Sequence, residues 1–186
     1  IIGEAPGADE VSEGKPFVGI SGRLLMGLMS RAGLARSACL IGNICQERPP
    51  NNDIEAFPWG DNEIQSGLDQ LGKDLNAFNP NICILLGATA LYAATGDMLK
   101  RPTTWRGSLF LGTVPPFLGR KCICSIHPAA VLRQLRHDPA PADKEEQSAW
   151  LQLLYFDLVR AREEGETPTL ILPQRNIDTS CNLLTD

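Results

Sequence analysis

The chain opens with IIGEAPGADEVSEGKPFVGISG, residues 1–22, which contains the end of one strand, a loop and the start of a helix. Ile1 and Ile2 are typical of a strand buried on both faces, and a glycine-rich loop follows them. A helical pattern then occupies Gly22–Ala32, with leucines three or four residues apart. Because the apolar run is already in progress at Ile1, without a preceding Met, we expect further sequence upstream.

The same alternation of apolar runs and helical patterns continues along the chain. Further strands are predicted at Cys39–Ile41, Ile82–Leu86 and Cys122–Ile126, and further helices at Glu63–Phe78 and Ala88–Ala94. Strands and helices in turn indicate a parallel sheet covered on both faces. We therefore predict an α/β fold, a three-layer sandwich around a central four-stranded parallel sheet.

Three further segments complete the predicted organisation. A small hairpin is expected from Ser108–Leu111 to Pro116–Leu118. Pro139 and Pro141 break the chain before a long amphipathic helix at Asp143–Glu164. We expect a core domain at residues 1–136, a C-terminal helix that packs on it within 137–166, and a tail or linker at 167–186.

The composition indicates an ordinary globular domain. The 186 residues are 43% hydrophobic and 21% charged, which excludes a coiled coil, a collagen-like repeat and a wholly disordered chain. No apolar run approaches the roughly 20 residues of a membrane-spanning helix, and no basic-then-apolar leader opens the chain. We expect a cytoplasmic monomer without a membrane partner.

The net charge of −5 is unevenly distributed. Residues 1–136 carry 13 Lys and Arg against 12 Asp and Glu, whereas residues 137–186 carry 4 against 10. Residues 14–46 and 98–136 contain basic side chains and no acidic ones. Such stretches either form the positive surface that a phosphate backbone needs or cluster by chance on a solvated face. Charge alone leaves both interpretations open.

Polar and aromatic residues follow the predicted strands. Ligands of an open parallel sheet bind just past the carboxyl ends of its strands. Glu4 follows the first strand, with Phe17 in the next part of the same loop. Asn43 follows the second strand and His127 the fourth. We therefore expect a carboxylate, an aromatic ring, a carboxamide and an imidazole at one edge of the sheet.

Five motifs occur in a fixed order along residues 1–136. They are GEAPGxxE at Gly3–Glu10, GxPFVGxSGxLL at Gly14–Leu25, Nx4RPPxN from Asn43 to Asn52, LGA at Leu86–Ala88 and HPx3LR at His127–Arg133. Together they resemble the uracil-DNA glycosylase superfamily, most closely its family 4. A related domain at the N terminus of phage DNA polymerases is a second, more distant likeness. A fused or associated DNA polymerase is therefore a further expected partner.

The resemblance implies a monofunctional enzyme that hydrolyses the N-glycosidic bond of uracil in DNA, with water as nucleophile and no cofactor. It implies Glu4 and His127 as catalytic residues, and Phe17 and Asn43 as the base pocket. In addition we expect Gly3 and Asn52 to bind the substrate, and Ser21, Gly22, Arg48, Gly87, Ala129 and Arg133 to contact DNA. With no lysine in the motifs to form a Schiff base, we expect no strand cleavage.

These residue types suit the chemistry. Cleavage passes through an oxocarbenium-like sugar with negative charge growing on the base. Glu4 would orient the water or stabilise the sugar, and His127 would donate a hydrogen bond near O2 of uracil. The Asn43 amide matches the edge of uracil but not that of cytosine, and Phe17 offers a stacking face worth ~1–3 kcal/mol. From the residues alone, four alternatives stay open: Glu4 as a turn cap, Phe17 as a core residue, Asn43 as a turn former and His127 as a structural histidine.

The chain departs from the family at the iron–sulfur ligands. Family 4 members typically bind a four-iron four-sulfur cluster through four cysteines, two of which precede the GEAPG motif. The third position, directly before RPP, is Glu47 here, and Cys45 lies two residues earlier. No cysteine occurs from Gln46 to Asn81, where the fourth is expected. We predict that no cluster binds, and that the cysteines in apolar stretches pack as small buried residues.

Two other functions stay open at this point. A noncatalytic or weakly active DNA-binding module of a phage replication protein fits the missing ligands, the acidic tail, and Ala129 where the family commonly has serine. An enzyme of the same fold that acts on hypoxanthine or xanthine is the third hypothesis. The presence of both Glu4 and His127 favours the uracil glycosylase.

Overall fold

A computed structural model describes residues 1–57, 61–137 and 149–171. Their sheet contains β1 (Ile2–Gly3), β2 (Gly42–Asn43), β3 (Cys83–Leu86), β4 (Leu109–Leu111) and β5 (Lys121–Ser125), in the order β2-β1-β3-β5-β4. All neighbouring pairs are parallel except β4 and β5, which pair antiparallel. The predicted α/β class is confirmed. The predicted four-stranded parallel sheet gains a fifth, antiparallel strand at its edge.

Seven α-helices lie within the described ranges. They are α1 (Ala8–Glu13), α2 (Ile20–Arg31), α3 (Asn62–Phe78), α4 (Ala88–Thr95), α5 (Pro102–Trp105), α6 (Pro128–His137) and α7 (Ala149–Glu164). Helices α2, α3 and α4 coincide closely with the predicted ones, and α7 is the described part of the predicted helix at Asp143–Glu164. The Pro139–Pro141 break and most of the predicted tail lie outside the described residues. None of these helices has the length and apolarity to cross a bilayer.

The alternation of side chains along β3 gives the sheet two buried faces. Ile84 and Leu86 pack in one apolar core, and Cys83 and Leu85 in another. The first core includes Leu25 and Leu28 of α2, Val131 of α6, and Leu154 and Leu158 of α7. The second includes Ile64, Leu71 and Leu75 of α3, and Ala90, Ala93 and Ala94 of α4. Helices therefore cover both faces, which is the three-layer arrangement predicted from the sequence.

Strand β2 begins after the predicted segment Cys39–Ile41, so that prediction was wrong. Hydrogen bonds from the Gly42 N–H to the Ile1 carbonyl (3.0 Å) and from the Ile44 N–H to the Gly3 carbonyl (3.0 Å) set its register against β1. Cys39–Ile41 is only partly buried and lies on the approach to the sheet. Its apolar composition therefore placed the predicted strand too early.

The predicted hairpin was wrong in its pairing. Strand β4 pairs with β5, with Leu109 opposite Ile123 and Leu111 opposite Lys121. The predicted second arm, Pro116–Leu118, contributes one isolated bridge, from Leu118 to Gly112. A proline has no N–H to donate to a ladder, so this arm is a poor strand partner.

Helix α7 is tied to β5 by buried polar contacts. Asp157 is 1% exposed and accepts hydrogen bonds from the Ser125 hydroxyl (2.7 Å) and the Arg106 guanidinium. Burial raises the pKa of the Asp157 carboxyl, and the bonds from Ser125 and Arg106 oppose that rise. At the other end of α7, the buried Lys121 ammonium donates to the carbonyl of Thr167 (2.6 Å).

We predict that Asp157→Ala lowers the free energy of unfolding by about 3 kcal/mol, because it leaves a partly buried guanidinium and a buried hydroxyl without their acceptor. Urea denaturation measures the change. Glu163→Ala, at an exposed position of the same helix, is the matched control and should change stability by less than about 0.5 kcal/mol. A loss below about 1 kcal/mol for Asp157→Ala would contradict the prediction.

Candidate active site

A cleft of about 640 Å³ opens where β1, β2, β3 and β5 end. Glu4, Phe17, Asn43 and His127 all line it, so the structure brings together the four side chains that were expected at one edge of the sheet. Six more predicted residues line the same cleft: Ser21, Arg48, Asn52, Gly87, Ala129 and Arg133. Gly3 and Gly22 lie beneath it.

The floor of the cleft is formed over Gly3. A Cβ atom at Gly3 would lie 2.6 Å from both the Asn43 Oδ1 and the Phe17 Cζ atoms, closer than real Cβ contacts. Phe17 is 6% exposed, with its ring centroid 6.1 Å from that of His127 and the two planes tilted by 34°. Asn43, also 6% exposed, presents its amide at this floor. An aromatic ring and an amide therefore lie side by side in the depth of the cleft.

The loop before α2 holds Phe17 in a rare conformation. Its φ of 54° lies in the left-handed region that residues with a Cβ seldom adopt. Gly22 explains how this is tolerated, because a Cβ there would be 2.1 Å from the Phe17 carbonyl carbon. The Arg36 guanidinium donates to the Pro16 carbonyl (2.8 Å) from the outer side. Gly22 is thus a buried packing position under the loop, and its contact with DNA stays a prediction.

Glu10 joins the two loops that border the cleft. Its carboxylate accepts hydrogen bonds from the backbone N–H groups of Gly7 (3.1 Å), Val18 (3.1 Å) and Gly19 (2.9 Å). Burial raises the pKa of Glu10, but the backbone donors outweigh it and hold the pKa below its ordinary value. Glu10 belongs to the first motif, GEAPGxxE, but no role was predicted for it. No local sequence rule relates Glu10 to Val18 and Gly19, so these hydrogen bonds could not be predicted from the sequence.

His127 is held as a neutral imidazole. Its Nδ1 atom accepts a hydrogen bond from the Ala129 backbone N–H (3.2 Å), which assigns the ring proton to Nε2. Burial, together with the positive charge of Arg133, lowers the pKa of His127 to about 4. At neutral pH the ring therefore has one N–H to donate and carries no charge.

Glu4 is anchored at both its main chain and its side chain. Its carbonyl accepts a hydrogen bond from the Cys45 N–H (2.9 Å), which extends the pairing of β1 with β2. Its Oε2 atom accepts a hydrogen bond from the hydroxyl of Thr89, on α4. Thr89 was not predicted as a site residue, because a hydroxyl in the first turn of a helix is common.

The rim of the cleft differs in part from the prediction. The Arg48 Nε atom donates to the Asn52 Oδ1 (2.8 Å), so these two predicted residues act as one exposed unit. The N–H of Gly87 is already bonded to the Ser125 carbonyl (3.0 Å), so it is not free for a phosphate, contrary to expectation. Four lining residues were missed because no motif contains them: Pro102, Thr103, Ile126 and Trp150.

The basic stretch at residues 98–136 is only partly a surface feature. Lys121 is buried beside the end of α7, and Arg106 is bound to Asp157. Arg133 is exposed and lines the cleft. The positive surface expected from charge alone is therefore smaller than the sequence indicated, and it includes Arg133 and Arg48.

Comparison with known proteins identifies the family. A model of the uracil DNA glycosylase superfamily matches residues 1–154, most of the chain. The chain belongs to this superfamily. Several curated relatives that it matches are named type-4 uracil-DNA glycosylases, in agreement with the resemblance to family 4.

Three of these relatives illustrate the similarity. The protein of Pyrobaculum aerophilum is 36% identical over 137 residues, covering 72% of this chain and 67% of the relative. That of Saccharolobus solfataricus is 43% identical over 138 residues (70% and 60%), and that of Thermotoga maritima is 34% identical over 134 residues (71% and 65%). The chain spans about three fifths to two thirds of the length of these relatives. The expected phage polymerase branch finds no support in them.

The described cysteines do not fit the iron–sulfur cluster that family 4 implies. Cys45 donates its S–H to the carbonyls of Glu47 (3.3 Å) and Glu63 (3.9 Å), and burial together with the nearby carboxylates raises its pKa, which opposes the thiolate that iron needs. Cys83 and Cys122 lie opposite each other inside the second core. In the described ranges, no three His, Cys, Asp or Glu residues are placed to hold a metal. The absence of a cluster stays a prediction, and no step below uses one.

We predict that His127 titrates with a pKa near 4 in the folded protein, well below the ordinary value of 6.5. NMR of the imidazole ring gives this value directly, and His127→Gln identifies its signal, because the chain has only two histidines. Arg133→Gln should raise the pKa, since it removes a repelling positive charge. A measured pKa of 6 or above would show that the ring is not held neutral by its surroundings.

We predict that Glu10→Gln lowers the free energy of unfolding by about 1–2 kcal/mol at pH 7, because an amide cannot replace a carboxylate that accepts three backbone hydrogen bonds. The loss is no larger because the Glu10 carboxylate is partly exposed to solvent, which weakens these bonds. The folded pKa of Glu10 lies below its ordinary value of 4.5. The difference between wild type and variant should therefore be full above pH 4.5 and disappear as the pH falls through the folded pKa. Denaturation curves at several pH values measure it, and an unchanged difference at low pH would be the contrary result.

Proposed function

We propose that the protein is a monofunctional uracil-DNA glycosylase that hydrolyses the N-glycosidic bond of uracil. The observation that carries this proposal is the convergence of Glu4, Phe17, Asn43 and His127 on one cleft in a chain of this superfamily. In the reaction the bond between C1′ of the deoxyribose and N1 of uracil breaks, and its electron pair leaves with the base. An oxygen atom of water then bonds to C1′, and the proton that this water loses neutralises the departed uracil anion.

The depth of the cleft suits a flat base that has left the helix stack. The Phe17 ring offers the base a face, and the Asn43 amide offers one donor and one acceptor at its edge. Uracil presents the complementary pair of atoms, whereas cytosine presents the reversed one. Because Phe17 and Asn43 are both almost fully buried, the base that binds there is shielded from water, which strengthens the hydrogen bonds that select it.

His127 is suited to stabilise the leaving base. Its Nε2–H can donate to O2 of uracil, where negative charge grows as the bond breaks. A neutral imidazole donates without surrendering its proton readily, and the pKa of about 4 keeps it neutral at physiological pH. Its partner Ala129 fixes which nitrogen carries the proton.

Glu4 is suited to the other half of the reaction, the sugar that becomes cationic. A carboxylate near C1′ stabilises the positive charge, or holds the attacking water by accepting a hydrogen bond from it. Asn52 lines the same cleft and belongs to the substrate-binding set in this proposal. No lysine is among the described residues that line the cleft, which supports hydrolysis by water without strand cleavage.

The rim contributes DNA contacts of two kinds. Arg48 and Arg133 are exposed cations that suit phosphates, and Ser21 adds a hydroxyl. Ala129 and its neighbours in the first turn of α6 suit the space that the extruded base leaves in the stack. Monomeric action and association with a DNA polymerase stay predictions.

The expected result of the direct test is release of uracil from a uracil-containing oligonucleotide, single- or double-stranded, revealed by alkaline cleavage at the abasic site. Glu4→Ala and His127→Ala should each slow release by about 10²–10⁴-fold, because each removes a group that acts on the transition state. Glu13→Ala, an exposed carboxylate on α1 outside the cleft, is the matched control and should be fully active.

Other outcomes identify the other functions. Binding to the oligonucleotide without any base release would indicate the noncatalytic module. Neither the cleft with its four predicted side chains nor the names of the relatives favour that module. Release of hypoxanthine or xanthine but not uracil would indicate the third hypothesis. Either result would overturn the proposal.

A further inference from the structure

Thr89 is the side chain that donates a hydrogen bond to the Glu4 carboxylate within the described residues. It lies in the first turn of α4, is 7% exposed, and is separated from Glu4 by 85 residues of sequence. Its hydroxyl donates to the Oε2 atom of Glu4. None of the five sequence motifs assigns it a function.

The hydroxyl is presented by a fixed part of the fold. Helix α4 begins at Gly87, whose N–H is bonded to the Ser125 carbonyl (3.0 Å) at the end of β5, and the Leu91 N–H closes the first turn on the Gly87 carbonyl (3.2 Å). Threonine is branched at Cβ, so few χ1 rotamers are open to it in a helix. The direction of the Thr89 hydroxyl is therefore determined by the backbone that carries it.

Glu4 by contrast needs such a contact. Its main chain is fixed by the Cys45 N–H, but a glutamate side chain has three rotatable bonds and moves freely unless its carboxylate is held. A carboxylate accepts hydrogen bonds through both oxygens and donates none. Thr89 occupies Oε2, and no other described residue donates to the carboxylate. As far as the described residues go, Oε1 has no donor, which leaves it for a group that enters the cleft.

We propose that Thr89 is a positioning residue, which directs the Glu4 carboxylate toward the deoxyribose or its attacking water. This inference rests on the proposed function, because it assigns Glu4 to the reacting centre. Thr89 itself touches no reacting atom, so its effect should pass entirely through Glu4. It should change the rate of the chemical step and leave DNA binding as it is.

Thr89→Ala and Thr89→Ser form the sharpest test, because the two variants differ by a single hydroxyl. Thr89→Ala should lower the single-turnover rate of uracil release by about 10–100-fold, since a misplaced catalytic group costs that much, and should change the dissociation constant for uracil-containing DNA by less than about twofold. Thr89→Ser should keep the rate within about threefold of wild type.

Two controls separate positioning from folding. Thr95→Ala removes a hydroxyl at the other end of the same helix, where it donates to the Leu91 carbonyl (2.9 Å), and should leave the rate unchanged. Thr89→Val preserves the shape of the side chain without its hydroxyl and should match Thr89→Ala in rate. A difference in rate between these two variants would reveal a packing defect. Thermal melting of each variant confirms that it is folded.

The decisive comparison is made in a Glu4→Ala background, where Thr89→Ala should cause no further loss of rate. The inference is overturned if Thr89→Ala retains the wild-type rate, if Thr89→Ser is as slow as Thr89→Ala, or if the loss is the same with and without Glu4. A wild-type protein that releases no uracil overturns the proposed function instead, and with it the reason to position Glu4.

Discussion

Gly3, at the end of β1, has a hydrogen atom in place of a side chain, and the floor of the cleft lies over it. Gly3 pairs with Asn43 across the sheet, and a Cβ atom on it would lie 2.6 Å from the Asn43 oxygen and from the Phe17 ring. A larger residue would push the ring and the amide apart. Their close approach forms the floor of the cleft, and the roles proposed for His127 and Glu4 both depend on a base that lies there.

The groups around this floor are already held in their orientations by hydrogen bonds and packing, so they need little reorientation when the reaction occurs. Glu10 satisfies three backbone donors of the bordering loops, so the unusual φ of Phe17 is maintained by charge-assisted hydrogen bonds as well as by packing on Gly22. The bond from Ala129 to His127 fixes the imidazole proton. Polar groups that are oriented before the substrate arrives stabilise a transition state more effectively than groups that must reorient.

Helix α7 shows how a segment outside the motifs becomes part of the site. It packs on the same core as α2 and α6, and Asp157 connects it to Ser125, two residues before His127. Through Trp150 it also contributes to the wall of the cleft. A contact between residues so far apart in sequence cannot be read from either one, because the two are brought together only when both have docked on the sheet.

The sequence by itself determined the α/β class, three of the helices and the four side chains that face the cleft, because apolar periodicity and the ends of parallel strands obey local rules. It misplaced β2 and the partner of β4, since an apolar run predicts burial but not which backbone groups pair. It placed Gly87 among the DNA contacts, although the Gly87 N–H is already bonded to the Ser125 carbonyl. Only the tertiary structure decided the contacts of Thr89, Glu10 and Trp150, because each depends on the distance between elements that lie far apart along the chain.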